Sequence, residues 1–208
     1  MPQLKILDHP IVSDIATQLR DETTPSAAFR RLTATLGALL AYEATDDLPT
    51  HTNPVTTPLT TTTGTRLSQP VTVVPILRAG LGLADGVLNV LPEARVGHLG
   101  MARDEQTLKP TSYYANLPTD AAQGPVLVTD PMLATGGSAV AALDWLKQQG
   151  CQDLRLLSMI AAPEGIQRVQ KEHPEVRIIV AVVDEKLNDA GYIVPGLGDA
   201  GDRLYGTA

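Results

Sequence analysis

The stretch Val126–Ser138, which reads VLVTDPMLATGGS, decides the fold of this chain. Its first four residues are β-branched or leucine, which is typical of a strand buried on both faces of a parallel sheet. Asp130 stands at the carboxyl end of that strand, and small residues then lead into a helical pattern over Thr135–Gln149. In open α/β sheets, ligands bind beyond the carboxyl ends of the strands. The stretch therefore predicts both a parallel sheet and a ligand site.

The segment Thr135–Ser138 predicts an anion site. It places two hydroxyl groups and several backbone N–H groups at a helix N-terminus, where the helix dipole favours negative charge. Its two glycines let the backbone approach an anion without a Cβ atom in the way. Asp130 would repel an anion and is better suited to sugar hydroxyls or to indirect contact with a metal, so the loop favours a sugar phosphate. A plain glycine-rich turn with Thr135 as a helix cap is the alternative.

Outward from this stretch, short apolar runs alternate with helical patterns, which indicates βαβ units. We expect strands at Val71–Leu77, Ala94–Leu99, Pro125–Asp130, Leu154–Ile160 and Val176–Val183, and helices at Ser26–Glu43, Leu81–Val90, Thr135–Gln149 and Glu164–Glu172. The Thr-rich segment 50–65 predicts an exposed hairpin over Val55–Thr63, with a disordered linker as the alternative. We expect one domain, with a helical region (1–45), a Thr-rich arm (46–70), an α/β core (71–187) and a tail (188–208).

Composition excludes several classes of function. The chain has 208 residues, and its 23 acidic and 16 basic residues give a net charge of −7. This acidic balance argues against general binding of nucleic acids, which requires a basic surface. The apolar runs are too short for a membrane helix. A single cysteine cannot form an internal disulfide, so we expect a cytoplasmic protein.

Two further segments carry groups suited to an anionic substrate. Arg78 follows a predicted strand and precedes a glycine turn, where its guanidinium could bind a diphosphate in bidentate fashion. Arg103 lies in a polar segment that suits a mobile flap. Each could equally be a surface charge. The glycine-rich tail Gly191–Asp202 would expose backbone donors and acceptors that can pair with a flat heterocycle, although a structured terminal turn is the alternative.

Taken together, the motifs resemble the uracil phosphoribosyltransferase family. The resemblance is carried by Val74–Gly82 (VPILRAGLG), Asp130–Ser138, Ala161–Gly165 (AAPEG) and Gly191–Gly206, in that order. It implies the α/β type I phosphoribosyltransferase fold, a twisted parallel sheet flanked by helices with a β-arm or flap and a C-terminal base-binding loop. It also implies the conversion of uracil and 5-phosphoribosyl 1-diphosphate into UMP and diphosphate.

The resemblance also implies site residues. Contacts to phosphoribosyl diphosphate are expected from Arg78, Arg103, Asp130, Pro131, Met132, Leu133, Ala134, Thr135, Gly136, Gly137, Ser138 and Asp199. Contacts to uracil are expected from Ile193, Gly198, Asp199 and Ala200. The residues expected to take part in catalysis are Arg78, Arg103, Asp130 and Asp199. No metal ligand is assigned directly, because Mg²⁺ is expected to bind mainly through substrate phosphates and water.

The family likeness suggests a homodimer or higher oligomer and a GTP effector. The sequence departs from the family at Ala102, where an aromatic residue usually precedes the flap arginine, and at Ser13-Asp14, where a basic pair is usual. The second departure leaves regulation by GTP open. Two other functions also stay open: a regulator that binds nucleotide or RNA without turnover, and an enzyme that accepts a purine.

Overall fold

The computed structural model describes the backbone of residues 3–103 and 110–207, with side chains for all of these except 102–103 and 110–112. Its helices are α1 (Pro10–Arg20), α2 (Ser26–Ala44), α3 (Gly80–Val90), α4 (Gly137–Gln148), α5 (Pro163–Glu172) and α6 (Ala200–Tyr205), with a 3₁₀ turn at Ala121–Gln123. Its strands are β1 (Leu4–Ile6), β2 (Thr50–Thr56), β3 (Thr61–Leu67), β4 (Thr72–Leu77), β5 (Arg95–Val96), β6 (His98–Arg103), β7 (Pro110–Asn116), β8 (Val126–Thr129), β9 (Met132–Leu133), β10 (Leu154–Ala161), β11 (Arg177–Val183), β12 (Lys186–Leu187) and β13 (Ile193–Val194).

The central sheet is almost entirely parallel, as the apolar runs predict. In the described part of the chain its order is β1-β11-β10-β8-β4-β6-β7, with β5 also paired to β4 and β9 to β10. Among the described strands of this sheet, only β7 runs antiparallel to its neighbour, β6. The chain moves from β4 outward to β6 and β7, then returns to β8 on the other side of β4. The carboxyl ends of β4 and β8 therefore flank the topological switch point, where ligands bind in such sheets.

Two apolar layers cover the two faces of the sheet, which explains why its strands are hydrophobic along their whole length. Helices α2 and α3 pack over one face, with Phe29, Leu40 and Leu83 fully buried against residues such as Leu127. The other face is covered by α4 and α5. Adjacent residues of β8 alternate between the layers, since Leu127 faces the first and Val128 the second.

The predicted elements are largely confirmed, with three corrections. The strand expected at Ala94–Leu99 is two short strands, β5 and β6, that both pair with β4. Helix α4 begins at Gly137 rather than Thr135, because β9 and a turn occupy the preceding residues. The tail, expected to be a loop, contains a short helix, α6. Helix α1 lies in the region 1–45 expected to be helical, although its bounds were not predicted, and strand β1 was not foreseen.

The Thr-rich arm is the hairpin formed by β2 and β3, in register from Thr50–Leu67 to Thr56–Thr61. This confirms the hairpin and extends it beyond the expected Val55–Thr63. Nearly every residue of both strands is exposed, so the arm projects from the core. None of the helices in the described ranges is both long and apolar enough to cross a membrane. The proposed boundaries between the regions of the chain stay a prediction.

Candidate active site

The loops after β4 and β8 meet at the switch point. The buried hydroxyl of Thr129 donates a 2.9 Å hydrogen bond to the carbonyl oxygen of Gly80. A side chain at position 80 would overlap the Thr129 carbonyl oxygen, so only glycine permits this approach. The backbone N–H of Asp130 donates to Leu157 of β10 at 3.1 Å, which fixes the start of the second loop. Arg78 and Asp130, predicted from separate motifs, therefore follow neighbouring strands of the sheet.

The loop Asp130–Ser138 divides into a part held by the sheet and a part that faces the helix end. The carbonyl oxygen of Pro131 accepts hydrogen bonds from Met159 and Ile160, both at 3.1 Å, and Leu133 is almost completely buried. The carbonyl oxygen of Pro131 and the side chain of Leu133 are therefore occupied within the protein and are not available to a ligand. Beyond Ala134 the chain turns through Gly136, whose φ of +74° lies in the left-handed region that favours glycine.

The anion site predicted at Thr135–Ser138 has the expected position, at the N-terminus of α4. Gly136 is the residue before the helix and offers no side-chain cap. The Thr135 hydroxyl accepts a long hydrogen bond, 3.4 Å, from the N–H of Gly137. This is the kind of contact expected from the alternative in which Thr135 caps the helix. Ser138 is exposed on the first turn. The first N–H groups of a helix have no partner within it, which leaves them available to an anion.

Burial dominates the electrostatics of Asp130. Loss of hydration raises the pKa of its carboxyl group to about 7, and a hydrogen bond from the backbone N–H of Met132 offsets only part of that effect. A carboxyl group that titrates near neutrality can accept from sugar hydroxyls when ionised. It also responds to any cation brought by a substrate, which would lower its pKa again.

The tail places the predicted base-binding residues beside both loops. After the small hairpin formed by β12 and β13, the chain passes a cis Val194–Pro195 bond and two glycines with positive φ, Gly196 and Gly198. Asp199 is the capping residue before α6, and its carboxylate accepts from the N–H of Asp202 at 3.0 Å. A Cβ atom on Gly191 would lie 3.7 Å from the Thr135 methyl group. The tail therefore borders the loop Asp130–Ser138, which is named the anion loop.

A buried ion pair holds the tail at Gly196. Asp184 lies just after β11 and is nearly inaccessible to solvent. Its carboxylate accepts from the N–H of Gly196 at 2.8 Å and from two nitrogens of Arg20, one of them at 2.9 Å. Arg20 in turn donates to the carbonyl oxygen of Gly196 at 2.7 Å. Both backbone polar groups of Gly196 are therefore fixed by charged side chains.

A second arginine attaches α6 to the N-terminal helices. Arg203 donates to the carbonyl oxygens of Leu197 at 2.9 Å and Asp21 at 2.6 Å, and also to that of Leu19. Its guanidinium carbon lies 4.4 Å from the centre of the Phe29 ring, within the range of a cation–π contact. The tail is thus supported by residues up to 184 positions away in sequence.

Helix α6 also contacts the connection between β4 and α3, residues Arg78 and Ala79, which is named the Arg78 loop. The Tyr205 hydroxyl donates to the carbonyl oxygen of Arg78 at 3.1 Å, and a Cβ atom on Gly201 would lie 3.9 Å from that of Ala79. Three predicted segments therefore converge at one edge of the sheet: the Arg78 loop, the anion loop and the tail.

Arg103 and Ile193 stand apart from the other predicted site residues. Arg103 is the last residue of β6, and β6 pairs with β4 through Gly100 opposite Leu77. The backbone of Arg103 therefore lies on the strand adjacent to the one that Arg78 follows. The Arg103 side chain lies outside the described part of the structure. Ile193 is 5% exposed and packs in the core layer, so most of its side chain is occupied there. Arg20, Asp184 and Arg203 were not assigned a role from sequence. Asp184 directly follows an apolar run, which is a signal that could have found it, whereas Arg20 and Arg203 stand beside other charged residues and carry no such signal.

Solved structures define the class of protein. The AQ2163 protein from Aquifex aeolicus superimposes with a TM-score of 0.93 at 40% identity, over 99% of both chains. The adenine phosphoribosyltransferase of Trypanosoma brucei matches with a TM-score of 0.59 at 12% identity, over 96% of this chain and 89% of that one. The chain therefore has the type I phosphoribosyltransferase fold.

Sequence comparison then gives the family. A family model described as uracil phosphoribosyltransferase matches residues 6–207. The proteins named uracil phosphoribosyltransferase from Finegoldia magna and Brevibacillus brevis are 54% and 52% identical to this chain over the full length of both partners. The chain belongs to the uracil phosphoribosyltransferase family.

Proposed function

We propose that this protein transfers the phosphoribosyl group of 5-phosphoribosyl 1-diphosphate to uracil, giving UMP and diphosphate, as a step of pyrimidine salvage. One observation carries the proposal together with the family match: the Arg78 loop, the anion loop and the tail adjoin at the switch point of the sheet. Each segment offers groups suited to one part of the reaction, namely a diphosphate, a sugar phosphate and a flat base.

The anion loop suits the ribose 5-phosphate. The N-terminus of α4, with the hydroxyls of Thr135 and Ser138, would bind the phosphate oxygens. Asp130 stands at the start of the same loop, where an ionised carboxylate would accept from the ribose hydroxyls. This arrangement would fix the sugar with its C1 atom directed toward the tail, and positioning of this kind is a large part of the catalysis of a two-substrate reaction.

Arg78 and Arg103 suit the diphosphate that leaves. During transfer the bond between C1 and the diphosphate oxygen breaks as a base nitrogen attacks. Negative charge then grows on the diphosphate, and guanidinium groups stabilise such charge through paired hydrogen bonds. The Arg78 side chain is 58% exposed at the edge of the site and is free to meet an incoming anion.

The tail suits uracil. Backbone groups near Gly198, Asp199 and Ala200 can pair with the alternating donors and acceptors of a pyrimidine, while Ile193 supports them from the core. Asp199 is our candidate for the group that accepts the uracil proton, with the orientation of water or Mg²⁺ as its alternative role. Its carboxylate spends one interaction on the N–H of Asp202 and retains further lone pairs, because an ionised carboxylate can accept about four hydrogen bonds.

The described residues fit Mg²⁺ delivered with the substrate. Within the described ranges, no three or more histidine, cysteine, aspartate or glutamate side chains form a metal cluster. Mg²⁺ commonly keeps several waters and binds through substrate phosphates and one or two carboxylates. Asp130 is the carboxylate at the loop that could contact a hydrated ion. Mg²⁺ bound to the diphosphate would neutralise charge on the leaving group.

We also propose a homo-oligomer, most simply a homodimer, in the cytoplasm. The β2–β3 arm is exposed on both faces and presents Val55 and Leu59, the latter 95% exposed, to solvent. An isolated two-stranded hairpin is only marginally stable in water, so a second copy of the chain is a suitable support. Sedimentation of wild-type protein and of Leu59→Ser tests this. A monomeric wild type would contradict it. GTP added to the activity assay tests the separate prediction of an effector.

A base panel tests the activity. Uracil, cytosine, adenine, guanine and hypoxanthine are each incubated with phosphoribosyl diphosphate and Mg²⁺, and the products are separated by chromatography. We expect UMP from uracil and no product from the purines. Arg103→Ala should lose most activity, whereas Arg31→Ala, which changes an exposed arginine of α2, should keep it. Folded protein that binds phosphoribosyl diphosphate but yields no nucleotide would favour the regulator instead.

A further inference from the structure

The aromatic ring of Tyr205 lies under the guanidinium group of Arg78. The Arg78 guanidinium carbon is 5.7 Å from the centre of that ring, within cation–π range. The Tyr205 hydroxyl donates at 3.1 Å to the backbone carbonyl oxygen of the same arginine. One side chain thus contacts both the backbone and the charged end of Arg78. Asp202, one turn earlier on α6, lies 3.6 Å from the guanidinium.

Arg78 needs such support because its own surroundings give it little. Its side chain is 58% exposed, and a free arginine side chain samples many rotamers. The surface ion pair with Asp202 is long and solvent-exposed, so it restrains the guanidinium weakly. A flat ring restricts a planar guanidinium without consuming its N–H donors. Those donors therefore stay free for a ligand.

Tyr205 also keeps its donor function over the physiological pH range. Burial raises the pKa of its phenol, and the nearby carboxylate of Asp85 raises it further, while Arg78 and Arg30 oppose these effects. The hydroxyl is therefore protonated at neutral pH. Arg30 additionally donates to the carbonyl oxygen of Leu204 at 2.7 Å, which fixes the backbone immediately before Tyr205.

We propose that Tyr205 is a positioning residue for Arg78, so that helix α6, whose first residue Ala200 is expected to contact the base, also sets the group that binds the diphosphate. The inference rests on the proposed function, which assigns Arg78 to the diphosphate of the substrate. Tyr205 acts through Arg78 and does not itself touch the substrate. Loss of the ring should therefore weaken diphosphate binding while leaving the binding of uracil nearly unchanged.

The test compares Tyr205→Leu, which removes the ring, with Tyr205→Phe, which removes only the hydroxyl. We expect Tyr205→Leu to raise the KM for phosphoribosyl diphosphate about fivefold, the scale of an exposed cation–π contact, and Tyr205→Phe to restore most of the loss. The KM for uracil and the melting temperature should change little. Tyr42→Leu, on exposed α2 surface, is the matched control.

A double-mutant cycle separates positioning from a general structural role. In an Arg78→Ala background, Tyr205→Leu should cause no further loss, because its partner is already gone. Equal losses in the two backgrounds, or an unchanged KM in Tyr205→Leu, would overturn the proposal. If Tyr205→Leu fails to fold, Tyr205→Gln takes its place at this partly exposed position.

Calorimetric titration with magnesium diphosphate gives the same comparison without any base. A roughly fivefold weaker affinity in Tyr205→Leu, absent in the Arg78→Ala background, supports the proposal. Wild-type protein that binds diphosphate but forms no UMP would contradict the proposed function, while the cycle of diphosphate affinities still decides the role of Tyr205. Wild-type protein that does not bind diphosphate would overturn both.

Discussion

Replacing Asp184 with alanine should destabilise the protein and impair the tail. The carboxylate is 4% exposed and accepts hydrogen bonds from Gly196 and from two nitrogens of Arg20. Its removal leaves a buried N–H without a partner, which costs about 1–3 kcal/mol. It also leaves the Arg20 guanidinium without its counter-charge, and such a loss costs about 3–5 kcal/mol when the pair is fully buried.

The Arg20 side chain is 25% exposed and keeps the carbonyl oxygen of Gly196 as a partner, so the charge penalty falls below that range. We therefore expect a total loss of about 3 kcal/mol. In a protein of this size, each kcal/mol shifts the melting temperature by about 2–4 °C, which predicts a fall of about 6–12 °C. Because Gly196 lies between Ile193 and Gly198, the KM for uracil should also rise more than the KM for phosphoribosyl diphosphate.

Urea denaturation gives the stability, and initial rates with each substrate varied in turn give the two KM values. Glu172→Ala is the control, because it removes an exposed i,i+4 ion pair with Arg168 and should cost less than about 0.5 kcal/mol. A loss below about 1 kcal/mol for Asp184→Ala, within the range of ordinary surface changes, would refute the reasoning that the pair supports the tail.

Three further predictions concern Asp130 after β8, the packing of α3 on α2, and the hydrogen bond between β8 and α3. Because burial raises the pKa of Asp130 to about 7, the neutral form stabilises the ligand-free protein at low pH and this contribution is lost as the pH rises through 7. The melting temperature of Asp130→Asn should therefore exceed that of the wild type above pH 7 and equal it below about pH 4. A difference between the two melting temperatures that stays constant across this range would contradict the raised pKa of Asp130. Gly86→Ala would drive a methyl group into the Ala34 carbonyl oxygen, so calorimetry should show a loss of about 2–3 kcal/mol, and an unchanged melting temperature would contradict the backbone contact between α2 and α3. Thr129→Val removes the buried hydrogen bond to the Gly80 carbonyl oxygen, so denaturation should show a loss of about 0.5–1.5 kcal/mol, with no loss arguing against this hydrogen bond.

The α/β core could be predicted because its residues carry strong local signals. Continuous apolar runs such as that of β8 are typical of strands covered on both faces, and the structure shows why, since both layers pack on them. The strand expected at Ala94–Leu99 was wrong in one respect. The run is interrupted at Gly97, between β5 and β6, so one apolar segment became two pairings with β4.

The tail shows where local patterns are insufficient. Residues 199–202 read Asp-Ala-Gly-Asp, a composition that favours a turn, yet α6 begins at Ala200. Contacts with distant parts of the chain stabilise this short helix, above all those of Arg203 with Leu19 and Asp21. Helix α1 is a different case. Val12, Ile15, Ala16 and Leu19 follow helical spacing behind Pro10, so its signal was present in the sequence.

The same contacts have a consequence for the order in which the site is completed during synthesis. Arg203 follows its partners Leu19 and Asp21 by more than 180 positions in the sequence. Folding on the ribosome proceeds from the N-terminus at about 5–20 residues per second, so α1, α2 and the strands β4 and β8 emerge well before α6. The nascent chain can therefore form the anion loop while the tail still lacks its attachment. We therefore expect the tail to be attached only after the anion loop has formed.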